Sequence, residues 1–374
     1  MNRAIPCLLC LVLGACLHSQ TKGGAEQDGI GKLIPSRYYR HYFFVTLQIG
    51  SVEKRSLNLL LDTGASKTTL DLAVARRLTG KNVTTSNDVI LRDATIGPLR
   101  VNKLSADIAD LKHLSRGLRH EIDGILGFDA FRSLQLVMDY PRREVRVSAD
   151  SVERRNGETL LNLRDETRPF VRLDLAGEWR EILIDTGSGS CLVVRSGDFP
   201  WETEPRLVGG SLRLKRIDLR RAGRMKADVR FGPARLHNPI VAVVDRPRTE
   251  LMGTSILRHL VLRFDHRARV VAISQPREGD LEFPSVRDLA WVLRPNDEGF
   301  EVVRLFGGGP ADRAGVKVGD LLTHVAGRPV LEPSDVVDWQ EKVESVESPI
   351  QIYRLRRDGA IVELSMRRSV LVRH

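Results

Sequence analysis

The chain has 374 residues, 42% hydrophobic and 28% charged, with a formal net charge of +10. That length and apolar content allow two or three packed domains and exclude a disordered chain. The basic excess suits acidic partners or an anionic surface, but no nucleic-acid recognition motif accompanies it, so no nucleic acid is expected as a partner.

In chain order, Met1-Asn2-Arg3 leads into an apolar stretch, Ala4 to Leu13, that ends in Leu13-Gly14-Ala15-Cys16. The stretch is too short to span a bilayer and has the size of a cleaved signal core. The closing quartet resembles the lipobox of bacterial lipoproteins, which implies a signal peptide over 1–15 and lipidation of Cys16. An ordinary cleaved signal or a buried Cys-rich helix is the alternative. Leu17 in place of Asp favours the outer membrane under the enteric sorting rule. Residues 16–37 are glycine-rich and polar, as in a flexible tether. Together these features place the body on the periplasmic face of the bacterial cell envelope, membrane-anchored through lipid. Cys7, Cys10 and Cys16 lie near the start and only Cys191 in the body, which leaves the folded part no internal disulfide.

The body then repeats itself. Phe44-Val45-Thr46-Leu47-Gln48-Ile49-Gly50 matches the stretch from Phe170 to Gly177, and both alternate apolar with polar residues, as half-buried strands do. Leu59-Leu60-Leu61-Asp62-Thr63-Gly64 matches Ile182-Leu183-Ile184-Asp185-Thr186-Gly187, the second hairpin being three residues shorter. Farther on, Gly127 and Gly253 each precede an aspartate, Asp139 and Asp265, by twelve positions. A short helix near Asp129–Ser133, a strand, a turn and a last strand fit both copies. The spacing predicts two copies of one β-rich lobe, over 38–150 and 151–278.

Asp-Thr-Gly at a strand end, followed by two apolar residues and Gly (Ile125-Leu126-Gly127, Leu251-Met252-Gly253), resembles the aspartic peptidases. The lobe size is similar to that of the retropepsins, with both lobes written into one chain. The resemblance implies a mainly β, two-lobed acid-protease barrel fold with an internal pseudo-two-fold axis. It makes Asp62 and Asp185 the catalytic pair, acting on a protein or peptide substrate. Two carboxylates about 3 Å apart do not both ionise cheaply and so share one proton. The ionised member takes a proton from water and the protonated one polarises the peptide carbonyl.

Supporting roles follow. Gly64 and Gly187 let backbone N–H groups approach the acids and permit a sharp turn. Thr63 and Thr186 bond across the axis. The Ser188 hydroxyl, facing Ala65 in the other copy, is expected to donate to a carboxylate and to bring the working range to mildly acidic or near-neutral pH. Ser66 is matched by Gly189, which suggests a looser second loop. A closing flap has two candidate positions, Val83–Val101 and Leu207–Lys226. The second carries Arg213, Lys215, Arg216, Arg220, Arg221, Arg224 and Lys226, read either as a solvated face or as a cationic rim that attracts acidic peptides.

From about residue 285 to 374 the pattern changes. Gly299 to Val330, with its Gly-rich turn, short helix after Pro310 and Gly319-Asp320, looks like a PDZ domain, which binds extended peptides by strand addition. Its groove is expected to be lined by Gly299, Phe300 and Val302 and by Val336 and Val337 of a helix over 333–343. Asp297 and Glu298 disfavour a terminal carboxylate there. An internal segment and an intramolecular dock against the lobes both stay open, as does autoinhibition. No metal or cofactor is expected, because no histidine spacing fits a ligand set. No serine or cysteine machinery is evident either. The chain completes its own pair, so catalysis needs only a monomer. The competing reading is a catalytically inactive peptide-binding scaffold lipoprotein.

Overall fold

The computed structural model describes residues 31–50, 55–118, 120–213, 216–244, 249–283, 286–296, 298–330 and 350–372. Cys16, Val336 and Val337 lie outside the described residues, as do the signal, most of the tether and the 333–343 helix. Among the described residues no helix is long and apolar enough to cross a membrane.

Each lobe grows from a hairpin whose alternate residues face inward. In the first, Phe43, Val45 and Leu47 of strand Tyr42–Ile49 and Leu57, Leu59 and Leu61 of strand Arg55–Asp62 are buried in one core. Burial of each such side chain contributes roughly 1.5–3 kcal/mol. The sheet runs on through Gly124–Gly127, Thr68–Asp71, Leu99–Ala109 and Asp88–Ile96. The last of these returns to the first hairpin, pairing Leu47 with Ile96, so the lobe closes as a barrel. In the second lobe the opening hairpin, Phe170–Leu175 with Glu178–Ile184, is joined by Ala176 and Gly177, whose φ of 57° and 93° fit a tight primed turn.

A six-stranded sheet welds the lobes together. Its order is Lys32–Ile34, Glu144–Ser148 and Gln135–Asp139 from the first lobe, then Val261–Asp265, Val270–Ser274 and Thr159–Asn162 from the second. Strands Gln135–Asp139 and Val261–Asp265 meet antiparallel at the axis. Arg263 and Glu158, both buried, add an ion pair that holds the connector between lobes onto this sheet. The tether ends earlier than expected. Lys32–Ile34 pairs with Glu144–Ser148, Ile34 is in the main core, and Ser36–Tyr39 pairs with the first hairpin. Alternation over so short a segment was hidden beneath its polar neighbours.

The C-terminal unit has its own core, including Trp291, Phe300, Val302, Leu322 and Tyr353. Its sheet order is Trp291–Asn296, Gly299–Leu305, Leu321–Val325, Gln351–Arg357 and Ala360–Met366, with the expected short helix at Pro310–Arg313. This order corrects the groove. Gly299, Phe300 and Val302 sit on a strand paired on both sides, and Phe300 and Val302 point into the core. An inner strand has no free edge to offer, so among the described residues the sheet's outermost strand on this side is Trp291–Asn296.

A clasp ties the lobes on one flank. Tyr38 Oη and His41 Nδ1 are 3.1 Å apart, and Arg258 reaches His41 Nε2 and His259 Nε2, both at 3.1 Å. Burial foremost, then the Arg258 charge, lowers both histidines, His259 to about 4; Arg143 also acts on His41 and Arg277 on His259. Neutral rings accept from Arg258 and protonated ones do not. With the folded value below the free one, this contribution is complete above pH ~6.5 and is lost as pH falls towards the folded value. A His259→Gln variant keeps an acceptor at every pH. The melting temperature of the wild type relative to this variant should therefore fall between pH 7 and pH 4. A constant difference across that range would show that the clasp does not titrate.

Candidate active site

The two Asp-Thr-Gly loops meet tip to tip because each is carried on a strand locked by the same partner. Arg55–Asp62 runs parallel to Gly124–Gly127, and Glu178–Ile184 runs parallel to Leu251–Met252. Equivalent bonds then fix the loops: Phe128 N–H to Ala65 O at 2.9 Å, and Thr254 N–H to Ser188 O at 2.7 Å.

Thr63 and Thr186 interlock across the axis, both 1% exposed. Thr63 Oγ1 donates to Ile184 O at 2.6 Å and accepts from Thr186 N–H at 3.2 Å. Thr186 Oγ1 donates to Leu61 O at 3.1 Å and accepts from Thr63 N–H at 3.0 Å. Four bonds thus cross between the lobes with no solvent to compete for them.

Asp62 and Asp185 are brought together and share a side-chain hydrogen bond. Gly64 N–H donates to Asp62 Oδ1 at 2.7 Å, and Gly187 N–H to Asp185 Oδ1 at 3.0 Å. Burial foremost, then the Asp62 charge, raises Asp185 to about 8. Burial likewise raises Asp62, against backbone N–H bonds that lower it. The physical content is one proton held between two half-buried carboxyls, and its titration belongs to the pair.

The glycines serve by closeness. A Cβ on Gly64 would stand 2.6 Å from Asp185 Cγ, and one on Gly187 would stand 2.4 Å from Asp62 Cγ. Each sits in a sharp turn, closed by Ala65 N–H to Asp62 O at 3.3 Å and by Ser188 N–H to Asp185 O at 3.4 Å, and neither has a positive φ. Ser188 also differs from expectation. Its hydroxyl accepts from Ser190 N–H at 3.3 Å, and its backbone N–H, not its side chain, serves Asp185. The side chain turns back into its own loop, so both lobes present backbone donors to the acids.

Three features near the pair were missed in the sequence. Tyr42 Oη is packed on the backbone of Gly189, where a Cβ would lie 2.8 Å from it. The glycine therefore leaves room for a cross-lobe contact with Tyr42 of the first lobe. Its only sequence signal was the mismatch of Gly189 with Ser66. Tyr140 is 2% exposed, its hydroxyl has no hydrogen-bond partner among the described residues, and burial holds its phenol well above the usual range. The third is the His41–Arg258 clasp.

The two flap candidates differ. Asp88–Ile96 and Leu99–Ala109 form barrel wall, folded back on Tyr42–Ile49. The second-lobe stretch lies on a long hairpin, Trp201–Arg213 with Arg216–Met225. Its cationic set is thinner than expected, because Arg224 is 3% exposed and binds Asn238 O and Phe283 O, both at 2.8 Å. Among the described residues no cluster of His, Cys, Asp or Glu could hold a metal.

The sequence profile of the family described as Aspartyl protease matches residues 45–130, which contain Asp62. The PDZ domain profile matches residues 307–350. No curated protein matches the chain. Among solved structures, the HtrA3 PDZ domain bound to a phage-derived ligand is 21% identical, over 23% of this chain and 86% of that one, with a TM-score of 0.20. The second lobe lies outside the protease match and enters through its internal repeat and shared pseudo-two-fold axis. The chain carries an aspartyl protease domain and, C-terminal to it, a PDZ domain.

Proposed function

We propose that the protein is an endopeptidase in which Asp62 and Asp185 together activate water against a peptide bond. The hydrogen-bonded pair of half-buried carboxyls at the tips of two equivalent loops carries this reading. The ionised carboxylate takes a proton from water while the protonated one donates to the carbonyl oxygen, giving a tetrahedral diol. Proton return to the amide nitrogen then releases the amine. One chain supplies both acids, which supports a catalytic monomer.

Cleavage of denatured casein, with pepstatin as inhibitor, tests the proposal. Asp62→Asn and Asp185→Asn should each lower kcat by at least about a thousandfold. In the wild type kcat/KM should fall as pH rises through about 8, where the shared proton leaves. Absence of cleavage from acid to neutral pH would favour the peptide-binding scaffold.

A readout independent of turnover follows from the raised value. Between the ordinary carboxylate range and about 8 the folded chain keeps a proton that the unfolded chain has released. Stability from this source is full at low pH and is lost as pH rises. Asp185→Asn should therefore gain melting temperature over the wild type at pH 8 relative to pH 4.

We also propose that a lipid on Cys16 carries the enzyme in the cell envelope. Cys16→Ser should release it from the membrane fraction; retention there would refute the anchor.

A further inference from the structure

The two lobes differ most in one hairpin. In the first lobe, Asp88–Ile96 is stitched to the barrel along its end. In the second, strand Arg216–Met225 pairs with Ile240–Val244 only from Arg221 to Arg224. Beyond Arg221 the ladder with Trp201–Arg213 continues through Gly209↔Arg220, Gly210↔Leu219 and Ser211↔Asp218, past the sheet that supports its base. Two-stranded ribbons are marginal by themselves. The pairing also slips between Leu207 and Gly209, which marks a bend beyond which neither strand pairs with a third.

The C-terminal domain lies against that bend. Leu207, paired with Arg221 at the last supported rung, packs on a cluster of Ala290, Val292 and Phe306, with Val303 beside it. Ala290 and Val292 are each 3% exposed and Phe306 8%. They occupy the face of their sheet opposite the domain's own core, where Trp291 points. A second tie lies at the base: buried Arg224 donates to Phe283 O on the segment leading into the C-terminal domain. The hairpin is tied at its root to the connecting segment, whose Phe283 belongs to the protease core, and at its bend by the domain that follows.

We propose that Phe306 and Val292 are positioning residues for the second-lobe hairpin, so that the C-terminal domain sets how this hairpin leans over the peptide cleft. The part concerning the cleft rests on the peptidase reading; the brace itself does not. A ribbon held at its bend keeps its distal rungs registered, and release of Leu207 frees the rungs beyond it.

Hydrogen exchange on the full-length protein reads the brace directly. In Leu207→Asp and in Phe306→Ala, amides of 209–213 and 216–220 should exchange at least about tenfold faster than in the wild type. Amides of Gln135–Asp139 and Val261–Asp265 should keep their protection, and Phe306→Leu should restore the hairpin. With a fluorogenic peptide, both disruptive variants should raise KM by about fivefold with kcat held within about twofold, since the acids are untouched. Unchanged hairpin exchange in both disruptive variants would overturn the brace. Faster hairpin exchange with unchanged KM would overturn its role in substrate binding. If the wild type itself cleaves nothing, the peptidase reading fails, and exchange still decides the brace.

Discussion

Thr186→Val should cost the fold on the order of 10 °C in melting temperature and lower turnover with it, whereas Thr186→Ser should stay close to the wild type. Valine keeps the shape of threonine and removes only the hydroxyl. Thr63 N–H then loses its acceptor and Leu61 C=O its donor, in a place where Thr186 is 1% exposed. Each orphaned buried group costs about 1–3 kcal/mol, and one kcal/mol is worth about 2–4 °C at this domain size. Thr63→Val orphans a different pair, Thr186 N–H and Ile184 C=O, and should behave alike. The bonds also set the distance between the acids, so kcat should fall more steeply than the folded fraction. Differential scanning calorimetry beside single-turnover kinetics separates the two effects. Equal behaviour of the valine and serine variants would mean that the hydroxyl network contributes little.

Much of this site could be read from local pattern. An apolar strand into Asp-Thr-Gly, written twice at matching distance from an apolar-apolar-Gly segment, marks both loops and the short helical turns after Gly127 and Gly253. What escaped is what depends on partners far apart in the chain. Whether Gly299–Leu305 has a free edge is a property of sheet order, and no composition reveals that Trp291–Asn296 lies outside it. Ser188 could be placed on the loop, but the direction of its hydroxyl depends on Ser190 N–H. Arg224 looked like one more surface cation among its neighbours; burial against Asn238 and Phe283 carbonyls makes it a strut. Gly189 is the instructive case. A break in an otherwise faithful repeat seemed to weaken the second loop, yet it makes room for Tyr42 from the other lobe. Repeats report symmetry, and departures from them report contacts across the axis.

Gly187→Ala should lower kcat/KM by at least about a hundredfold, the scale set by an ångström of misplacement at reacting groups. The backbone conformation at this position suits alanine, since its φ is not positive, so propensity gives no reason for the loss. The obstacle is the opposite lobe's acid: the new Cβ would stand 2.4 Å from Asp62 Cγ and 2.5 Å from Asp62 Oδ2. A flexible side chain would swing aside, but Asp62 is held by Gly64 N–H and by its bond to Asp185. Relief therefore comes either from displacing the carboxyl or from spreading the loops against the threonine bonds. Gly64→Ala meets Asp185 Cγ at 2.6 Å and should produce the mirror-image defect. Gly307→Ala, with nothing within 4 Å and no positive φ, is the control that should leave activity intact. The two failures are expected to differ from those of the Asp→Asn variants in their pH response. A spread pair opens the acids to water and takes the Asp62 charge away from Asp185, so the limb near pH 8 should move down. Residual activity with an unmoved limb would show that the loops absorb the methyl group without separating the acids.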